Sequence, residues 1–448
     1  GITQNIDSFN ITDLSGINSM FTGAHYINQN IGNLEIRNVS SAHEMFKGAH
    51  DISQNIGTLD ISGVVDLSGM FASVYNLTQD ISSFTIRDVS NADNMFLDAS
   101  NITQDISSFT IMDVTSVRYM FRDVSGLTQD ISSFTISNVS DAKEMFYQAH
   151  DISQNIGTLD ISGVVDLSGM FGGVYNVTQD IGTFQIQDVS SATSMFQDVS
   201  GLTQDISSLE ISNVYRLNLM FRGGVNITQN INNFQIVDVS SINLMFREAH
   251  DISQNINNFQ IIDVSDAIWM FRDASNITQN ISNFDISNVK DTELMFNKSS
   301  NITQNIGTFT IQNLSYAIQM FEGAQNITQD ISSWNISRVS QLGNMFELVN
   351  GLTQNIDSFI ISDTYGIKEM FKNENVATYE VVILGKDKKF YKGQYLFTVD
   401  WAHPDTNILN TEHSEIPQEH KCAHIIALEN GNYAAQPNNR IIWHVNSY

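Results

Sequence analysis

Residues 176–200 read NVTQDIGTFQIQDVSSATSMFQDVS, and variants of this stretch fill the chain from residue 1 to about residue 375. The dipeptide Met-Phe marks each of fifteen copies, from Met20–Phe21 to Met370–Phe371, at a constant spacing of 25 residues. A strict period of this length is typical of a repeat solenoid, in which each copy forms one coil and stacked coils bury a continuous core. No coil has a longer loop that could gather catalytic residues. We therefore predict a protein that is not an enzyme and that either binds a partner or serves as a structural element.

Two periodicities follow each other within this stretch. Phe184 and Ile186 alternate with polar residues, which is the period of a short strand. From Val189 the apolar spacing changes to three and four, which is the period of a helical turn. Asp188 and Ser190 stand where a side-chain oxygen could cap the first N–H groups of that turn. Each coil is thus predicted to hold one short strand, a short α or 3₁₀ segment and a return loop, with Met-Phe in the core.

The spacing I-x-x-F-x-I-x-x-V-x-x-A-x-x-M-F-x-x-A resembles that of the BspA-like leucine-rich repeat surface proteins. In that family an Ala-Phe pair and a small residue three positions later stand where Met195–Phe196 and Val199 stand here. The buried Asn of the commoner leucine-rich repeats is replaced by Val or Leu, as at Val39 and Leu314. The resemblance implies a leucine-rich-repeat-like solenoid with a parallel sheet, displayed on a surface and often used for adhesion. It implies no catalytic residues.

The composition changes near residue 375, which divides the chain into fifteen repeats, 1–375, and a tail, 376–448. All three prolines and the one cysteine lie in the tail, whereas nearly all of the net charge of −28 lies in the repeats. An acidic chain is a poor ligand for nucleic acid or anionic membranes, because both need Lys and Arg to displace counterions. No run of about eighteen apolar residues occurs, so we predict no membrane span. The expected location is extracellular, at a cell surface or a virion surface.

The tail is predicted to be a small β-rich domain that caps the last coil and docks the protein into a larger assembly. Four runs predict strands, at 378–384, 395–399, 422–428 and 440–445. His420, Cys422 and His424 alternate onto one strand face and could bind zinc, although their spacing matches no strong motif. We predict no other cofactor. Because the chain opens in mid-repeat, we expect an upstream segment, another subunit or a host structure to cover the first coil.

The candidate binding residues lie on the polar strand face and before Met-Phe. Thr85, Thr135 and Gln185 are polar strand residues that could bind a surface glycan or a protein partner through hydrogen bonds. Tyr119 and Trp269 precede Met in their coils, where each could contact a partner or fill a gap between coils. One Gln in each coil predicts a structural ladder of amide hydrogen bonds, which begins with Gln4, Gln29, Gln54, Gln79 and Gln104. The Asp and Asn residues beside the ladder alternate freely, which does not favour a calcium site.

Three functions remain open on the sequence. The leading one is a surface or appendage protein whose repeats present a polar face for adhesion. The second is a structural spacer or assembly subunit, either of a virion, as a tail fibre or capsid decoration, or of a cell envelope. The third is a metal-binding or enzymatic tail on a repeat stalk. Residues His50–Phe71 and His150–Phe171 are identical, and such block duplication suits a spacer or multivalent display because it is expected to change length without changing surface chemistry.

Overall fold

The computed structural model describes the repeats between residues 10 and 349, with gaps, and three strands of the tail. The described residues are 10–12, 14–27, 31, 34–52, 56, 59, 61, 63–75, 86–87, 89–100, 111–112, 114–125, 136, 138–150, 160–175, 185–200, 210–224, 235–237, 239–250, 260–262, 264–275, 286–300, 306, 309, 311, 313–325, 334, 336, 338–347, 349, 378–384, 390–396 and 440–444. We number the repeats so that repeat 1 is 1–25 and repeat 7 is 151–175.

Short strands pair in parallel across a spacing of one repeat. They are β1 (Asn10–Thr12), β2 (Tyr26–Ile27), β3 (Glu35–Arg37), β4 (Asp51–Ile52), β5 (Ile86–Arg87), β6 (Ile111–Met112), β7 (Gln185–Gln187), β8 (Glu210–Ser212), β9 (Gln235–Val237) and β10 (Gln260–Ile262). The pairs are β1 with β3, β2 with β4, β5 with β6, β7 with β8, and β9 with β10. Each residue faces its counterpart 25 positions later, as Ile186 faces Ile211, so residues of the same repeat position stack on one another.

A second set of hydrogen bonds joins the repeats through the turns around Met-Phe. In repeat 7, four alternate N–H groups donate to carbonyl groups of the next repeat at 2.7–3.0 Å, from Leu167, Gly169, Phe171 and Gly173. The N–H groups of Met170, Gly172 and Val174 donate to the carbonyl three residues earlier in their own repeat, at 3.0–3.3 Å. The backbone of these turns is therefore satisfied half within the repeat and half by its neighbour.

The predicted short helical segment is wrong for the described repeats. Two residues in a typical repeat have positive φ, one before Met and one two positions after Phe, as at Tyr119 (57°) and Asp123 (58°). Gly169 (64°) and Gly173 (68°) hold the same places in repeat 7. Left-handed residues break the uniform right-handed backbone of an α or 3₁₀ helix. The apolar spacing of three and four comes instead from consecutive hydrogen-bonded turns.

In several repeats the first residue of the turn, an Asp or Asn, caps it with a side-chain oxygen. In repeat 7 the Oδ1 atom of Asp166 accepts the N–H of Ser168 at 2.8 Å, which is an Asx turn. The caps predicted at Asp188 and Ser190 are therefore misplaced. The Ser190 hydroxyl donates to the carbonyl of Val165 in the preceding repeat at 2.9 Å, and Asp188 has positive φ.

The Phe of each Met-Phe pair lies in the core, as predicted, and in the described repeats it is at most 3% exposed. In the first part of the chain the rings stack from Phe21 to Phe221, with centroids 5.3–5.8 Å apart and planes within 10° of parallel. A second stack runs from Phe246 to Phe346 at 5.2–5.6 Å. Offset stacking of this kind adds about 0.5–1.5 kcal/mol per pair to the stabilisation from burial.

Three strands of the tail form one sheet: β11 (Thr378–Leu384), β12 (Phe390–Leu396) and β13 (Arg440–His444). β11 lies in the middle, antiparallel to β12 and parallel to β13. The strand predicted at 378–384 is confirmed, and the one predicted at 440–445 is one residue shorter. β12 lies earlier than the predicted 395–399, because it pairs with all seven residues of β11. The strand predicted at 422–428 lies outside the described residues.

The contacts divide the chain into two compact units, Gly1–Phe234 and Gln235–Tyr448. The predicted boundary at residue 375 lies outside the described residues and stays a prediction. Within the described part of the chain, no helix has both the length and the hydropathy that crossing a bilayer requires.

Candidate functional site: the turn face and its glycine groove

The repeats differ on the surface of their turns. We call the side chains directly before Met and directly after Phe the turn face. In the described repeats the residue before Met is Ser, Glu, Gly, Asn, Tyr, Leu, Trp or Gln, whereas Met and Phe never change. A constant core beneath a variable surface is what a repeat scaffold offers to a binding partner.

Tyr119 lies in a cluster of arginines and aromatic rings. The guanidinium carbons of Arg118 and Arg122 both lie 5.5 Å from the centroid of the Tyr119 ring. Arg122 also lies 5.0 Å from the ring centroid of Tyr147 in the next repeat, and it forms an ion pair with Glu144. Cation–π contacts fix the guanidinium groups over the rings. Arg122 thus links the turn faces of repeats 5 and 6.

Trp269 has a similar environment in the second unit. The guanidinium carbons of Arg247 and Arg272 lie 5.1 and 4.3 Å from its ring. Arg247 contacts Glu248 at 2.7 Å and Arg272 contacts Asp273 at 3.3 Å, so each arginine also has a carboxylate beside it. Tyr119 and Trp269 are therefore half-buried rings packed against arginines, and their role in binding stays a prediction.

Repeat 7 forms the floor of a groove of about 800 Å³. Its turn reads Ser-Gly-Met-Phe-Gly-Gly over 168–173, so three of six residues have no side chain. Side chains of repeats 5 and 6 line one wall, and side chains of repeats 8 and 9 line the other. We call this feature the glycine groove. It lies wholly within the unit Gly1–Phe234.

The ring of Tyr147, which lines the groove, packs closely over Gly172 of repeat 7. A β-carbon added to Gly172 would lie 2.8 and 2.9 Å from the Cδ2 and Cε2 atoms of Tyr147, and 3.3 Å from the Ser194 carbonyl oxygen. A β-carbon added to Gly169 would lie 2.7 Å from Cγ of Glu144. Glycine is the residue that permits so close an approach to the backbone. Gly172 therefore sets the position of the aromatic wall.

Hydroxyl groups follow one another along the groove. The Ser168 hydroxyl donates to the Ser191 hydroxyl at 2.7 Å, and Ser191 donates to the Thr193 hydroxyl at 3.0 Å. Each hydroxyl can donate one hydrogen bond and accept two. The row therefore keeps acceptor and donor capacity toward the groove.

The charges in the groove differ from those of the chain as a whole. The chain as a whole has a net charge of −28. The groove is lined by three cations and two carboxylates: Arg122, Lys143 and Arg216, and Glu144 and Asp166. Arg122 and Glu144 neutralise each other on the wall formed by repeats 5 and 6. Arg216 lies at the opposite end, with its guanidinium carbon 5.2 Å from the ring centroid of Tyr215. The groove thus has one cation more than it has carboxylates, and Arg216 supplies the positive charge at the end formed by repeat 9.

Carboxylates in the first position of neighbouring turns influence each other. Burial raises the pKa of Asp141 above its ordinary value, and the charge of Asp166 in the next repeat raises it further. Burial likewise raises the pKa of Asp291, with a smaller contribution from Asp266. Acidic residues stacked at the same repeat position therefore repel one another, although identical side chains at one position pack well.

Most of the other predicted site residues lie outside the described part of the chain. Gln185 lies in β7 and pairs with Glu210. Among the described residues, no group of three His, Cys, Asp or Glu side chains is placed to hold a metal ion. The predicted residues that the structure does not describe are Thr85, Thr135, the ladder Gln4, Gln29, Gln54, Gln79 and Gln104, and the zinc candidates His420, Cys422 and His424.

The residues that form the groove were not among those predicted from the sequence. Tyr147 directly follows Phe and Arg216 is the first residue of its turn, and each is one of many residues found at its repeat position. The available signal is the run Gly169-Met170-Phe171-Gly172-Gly173, which has three glycines where most repeats have larger side chains. A gap in one repeat becomes a groove only when its neighbours carry long side chains.

The stacked repeats of the fold and the matches to a family of known sequences define a tandem-repeat protein. The chain matches the family described as Mycoplasma protein of unknown function, DUF285, in five overlapping stretches, 1–109, 48–158, 115–231, 165–283 and 265–381. These stretches cover more than half of the chain, which therefore belongs to this family. No curated protein and no solved structure matches it.

Proposed function

We propose that this protein is a leucine-rich-repeat-like solenoid of the BspA type that acts as a non-enzymatic adhesion protein on a cell or virion surface. The observation that carries the proposal is the division of each repeat into a constant buried core and a variable turn face. The tail, 376–448, would dock the protein to its assembly, and the repeats would contact a surface glycan or protein.

The repeat geometry supports the solenoid part of the proposal. Strand pairing and turn hydrogen bonds both link each residue to a position about one repeat away. The core Phe stacks repeat the same spacing. Contacts of this kind let the same core be extended repeat by repeat while the surface changes.

The composition of the described surface supports the adhesion part. Aromatic residues and arginine are enriched at protein interfaces, where they supply most of the binding energy. The turn face carries Arg–aromatic clusters around Tyr119 and Trp269. Four tyrosines of the described repeats are between 37% and 57% exposed, namely Tyr75, Tyr175, Tyr215 and Tyr316.

Retention of the protein on cells tests the proposal. Beads coated with the full chain are mixed with cultured epithelial cells and washed under flow. Beads coated with a non-repeat protein of equal net charge serve as the control, because a charge of −28 alone influences non-specific adhesion. We expect retention of the first beads only. Equal retention of both would contradict adhesion through the repeats.

A spacer or assembly subunit is the second candidate, and the identity of His50–Phe71 and His150–Phe171 favours it. Deletion of residues 76–175 removes four repeats without changing the phase. An adhesive surface in those repeats predicts a loss of bead retention. A pure spacer predicts unchanged retention with a shorter protein.

A further inference from the structure

We propose that the glycine groove binds a short oligosaccharide that carries a carboxylate at one end. The inference rests on the proposed adhesion function and names the ligand class for one site. It combines an aromatic wall, a row of hydroxyls, carboxylates over the floor and an arginine at one end.

The dimensions of the groove fit a chain of a few sugars. Its lining runs from repeat 5 to repeat 9, and adjacent repeats are about 4.8 Å apart at the strand spacing. The lining from repeat 5 to repeat 9 therefore extends about 19 Å along the stack. Such a site is long enough for more than one sugar ring.

Tyr147 supplies the apolar contact that a sugar ring needs. One face of a pyranose presents C–H groups, which pack well against an aromatic ring, whose face is electron-rich. Arg122 holds the tyrosine ring from one side at 5.0 Å. Gly172 lets the ring lean over the floor. The ring is thus fixed before a ligand arrives, which reduces the entropy cost of binding.

The polar groups that line the groove match sugar hydroxyls. Asp166 and Glu144 accept hydrogen bonds from hydroxyl groups, and Ser191 and Thr193 can accept or donate. The Oδ1 atom of Asp166 is already oriented by the N–H of Ser168 at 2.8 Å. A ligand with alternating donors and acceptors would find partners along the whole floor.

The charge distribution indicates where the carboxylate of the ligand lies. Near repeats 6 and 7 the carboxylates of Glu144 and Asp166 offset the charges of Arg122 and Lys143, so that end has no excess positive charge and suits the neutral sugars. Arg216 is placed in repeat 9, where a guanidinium can bind a carboxylate with two parallel hydrogen bonds. The ligand therefore points its acidic end toward Arg216.

The same features disfavour other ligand classes. An apolar small molecule needs a mostly hydrophobic pocket, and this groove is lined by charged and hydroxyl groups. Peptides are commonly bound along a sheet edge or in an apolar groove. Nucleic acid is opposed by the net charge of −28.

Direct titration of the full chain tests the proposal. The probes are 3′-sialyllactose and its neutral counterpart lactose. Their binding is measured by saturation-transfer NMR and calorimetry. A hyaluronan tetrasaccharide tests whether the site also accepts a uronic acid in place of the sialic acid. We expect at least one acidic sugar to bind at least tenfold more tightly than lactose.

Two variants place residues that the chain itself carries at the same repeat positions. Arg216→Ser follows Ser116, and Tyr147→Lys follows Lys47. We expect Arg216→Ser to abolish the preference for the acidic sugar and to leave lactose binding unchanged. Tyr147→Lys should weaken both sugars at least tenfold. If it perturbs the melting curve, Tyr147→Gln, which follows Gln197, replaces it.

A matched control is Tyr175→Ser, which removes an exposed tyrosine that does not line the groove. It should leave all titrations unchanged. The proposal is overturned if no acidic sugar binds, or if Arg216→Ser leaves the preference for the acidic sugar intact. Bead retention on cells without sugar binding would overturn the groove proposal alone, whereas sugar binding without bead retention would contradict the adhesion proposal alone.

Discussion

Residues 50–71 and 150–171 are identical in sequence, but the two turns to which they lead lie in different surroundings. Both copies contribute Asp, Ser and Gly at 66, 68 and 69 and at 166, 168 and 169. The second copy lies under the glycine groove. Its walls come from the repeats on either side, and these are the residues that the duplication did not copy.

Three substitutions distinguish the two surroundings. Lys47, which contacts Glu44 at 2.6 Å, stands where Tyr147 forms the aromatic wall. Ala72 stands where Gly172 lets that ring lean over the floor, and Ser116 stands at the place of Arg216. The duplication therefore kept the chemistry of the copied residues, whereas the surface around them differs between the two places. A repeat determines its own core, and its neighbours determine what its surface can bind.

The shared core gives the largest expected effect. Phe71 and Phe171 are both fully buried, with ring neighbours at 5.5–5.8 Å. We expect Phe71→Ala and Phe171→Ala each to cost about 3–5 kcal/mol, because truncation of a buried aromatic ring leaves a cavity. Hydrogen exchange measured by mass spectrometry should show lost protection in the altered repeat and its neighbours.

The two copies should respond equally in this experiment. If the losses of unfolding free energy for Phe71→Ala and Phe171→Ala differ by more than about 1 kcal/mol, the residues around the groove also influence the packing of the core. Loss of protection in distant repeats would contradict nearest-neighbour stacking. Tyr175→Ser, on the surface, is the control that should leave exchange unchanged.

The next effect concerns Gly172, which follows the second copy and contacts the aromatic wall of the groove, whereas Ala72 follows the first copy. Gly172→Ala places a β-carbon 2.8 Å from the Tyr147 ring, so the ring must move. We expect a loss of about 1–3 kcal/mol in unfolding free energy, as for other overpacking substitutions. Denaturant unfolding of the full chain measures it.

A double-mutant cycle isolates the contact. Tyr147→Lys combined with Gly172→Ala reproduces the Lys47–Ala72 pair of the first copy. We expect the double variant to regain most of the stability that Gly172→Ala loses, so the two effects are not additive. Additive effects would show that the alanine clashes with the Ser194 carbonyl, 3.3 Å away, instead of with the ring.

The sequence predicts the repeat architecture well because the signal is repeated fifteen times. Met-Phe at constant spacing fixes which residues stack, and the buried rings from Phe21 to Phe346 confirm their place in the core. The turn conformation could not be predicted in the same way. A spacing of three and four is shared by a helix and by consecutive turns, and the positive φ of residues such as Tyr119 and Leu219 carries no sequence signature.

The groove could not be predicted because it depends on residues from several repeats at once. Tyr147, Gly172 and Arg216 are separated by 25 and 44 positions in the sequence. Each is unremarkable within its own repeat. Their juxtaposition follows from the register between repeats, which places the turn of one repeat beside that of the next.

A smaller effect concerns a serine hydroxyl in the repeat after each copy, that of Ser90 or Ser190. Ser190 donates to the Val165 carbonyl at 2.9 Å, whereas Ser90 lies 3.3 Å from the Val65 carbonyl. We expect Ser190→Ala to cost about 0.5–1 kcal/mol and Ser90→Ala less, because hydrogen bonds weaken with distance. Thermal unfolding of both variants checks the order. A larger cost for Ser90→Ala would contradict this difference between the copies.

The smallest effect is electrostatic and concerns the first turn position one repeat before that of each copy, which is Ser41 for the first copy and Asp141 for the second. Asp166 of the second copy follows Asp141 by one repeat, whereas Asp66 of the first copy lies 3.3 Å from the hydroxyl of Ser41. Burial first, and then the charge of Asp166, raises the pKa of Asp141; the N–H of Lys143 opposes this. At neutral pH the charged Asp141 therefore destabilises the fold relative to a neutral side chain.

Asp141→Asn should raise the unfolding free energy at pH 7 by about 0.5 kcal/mol or less, because the side chain is partly exposed and its attraction to Arg118 is also lost. The amide keeps the turn, since Asn91 accepts the N–H of Asp93 at 3.0 Å in the same way. The folded pKa of Asp141 lies above its unfolded value, so the wild type gains stability as the pH falls through the folded pKa. The advantage of the variant should therefore shrink between neutral pH and about pH 4. An advantage that persists at low pH would show that packing, not charge, distinguishes the two side chains.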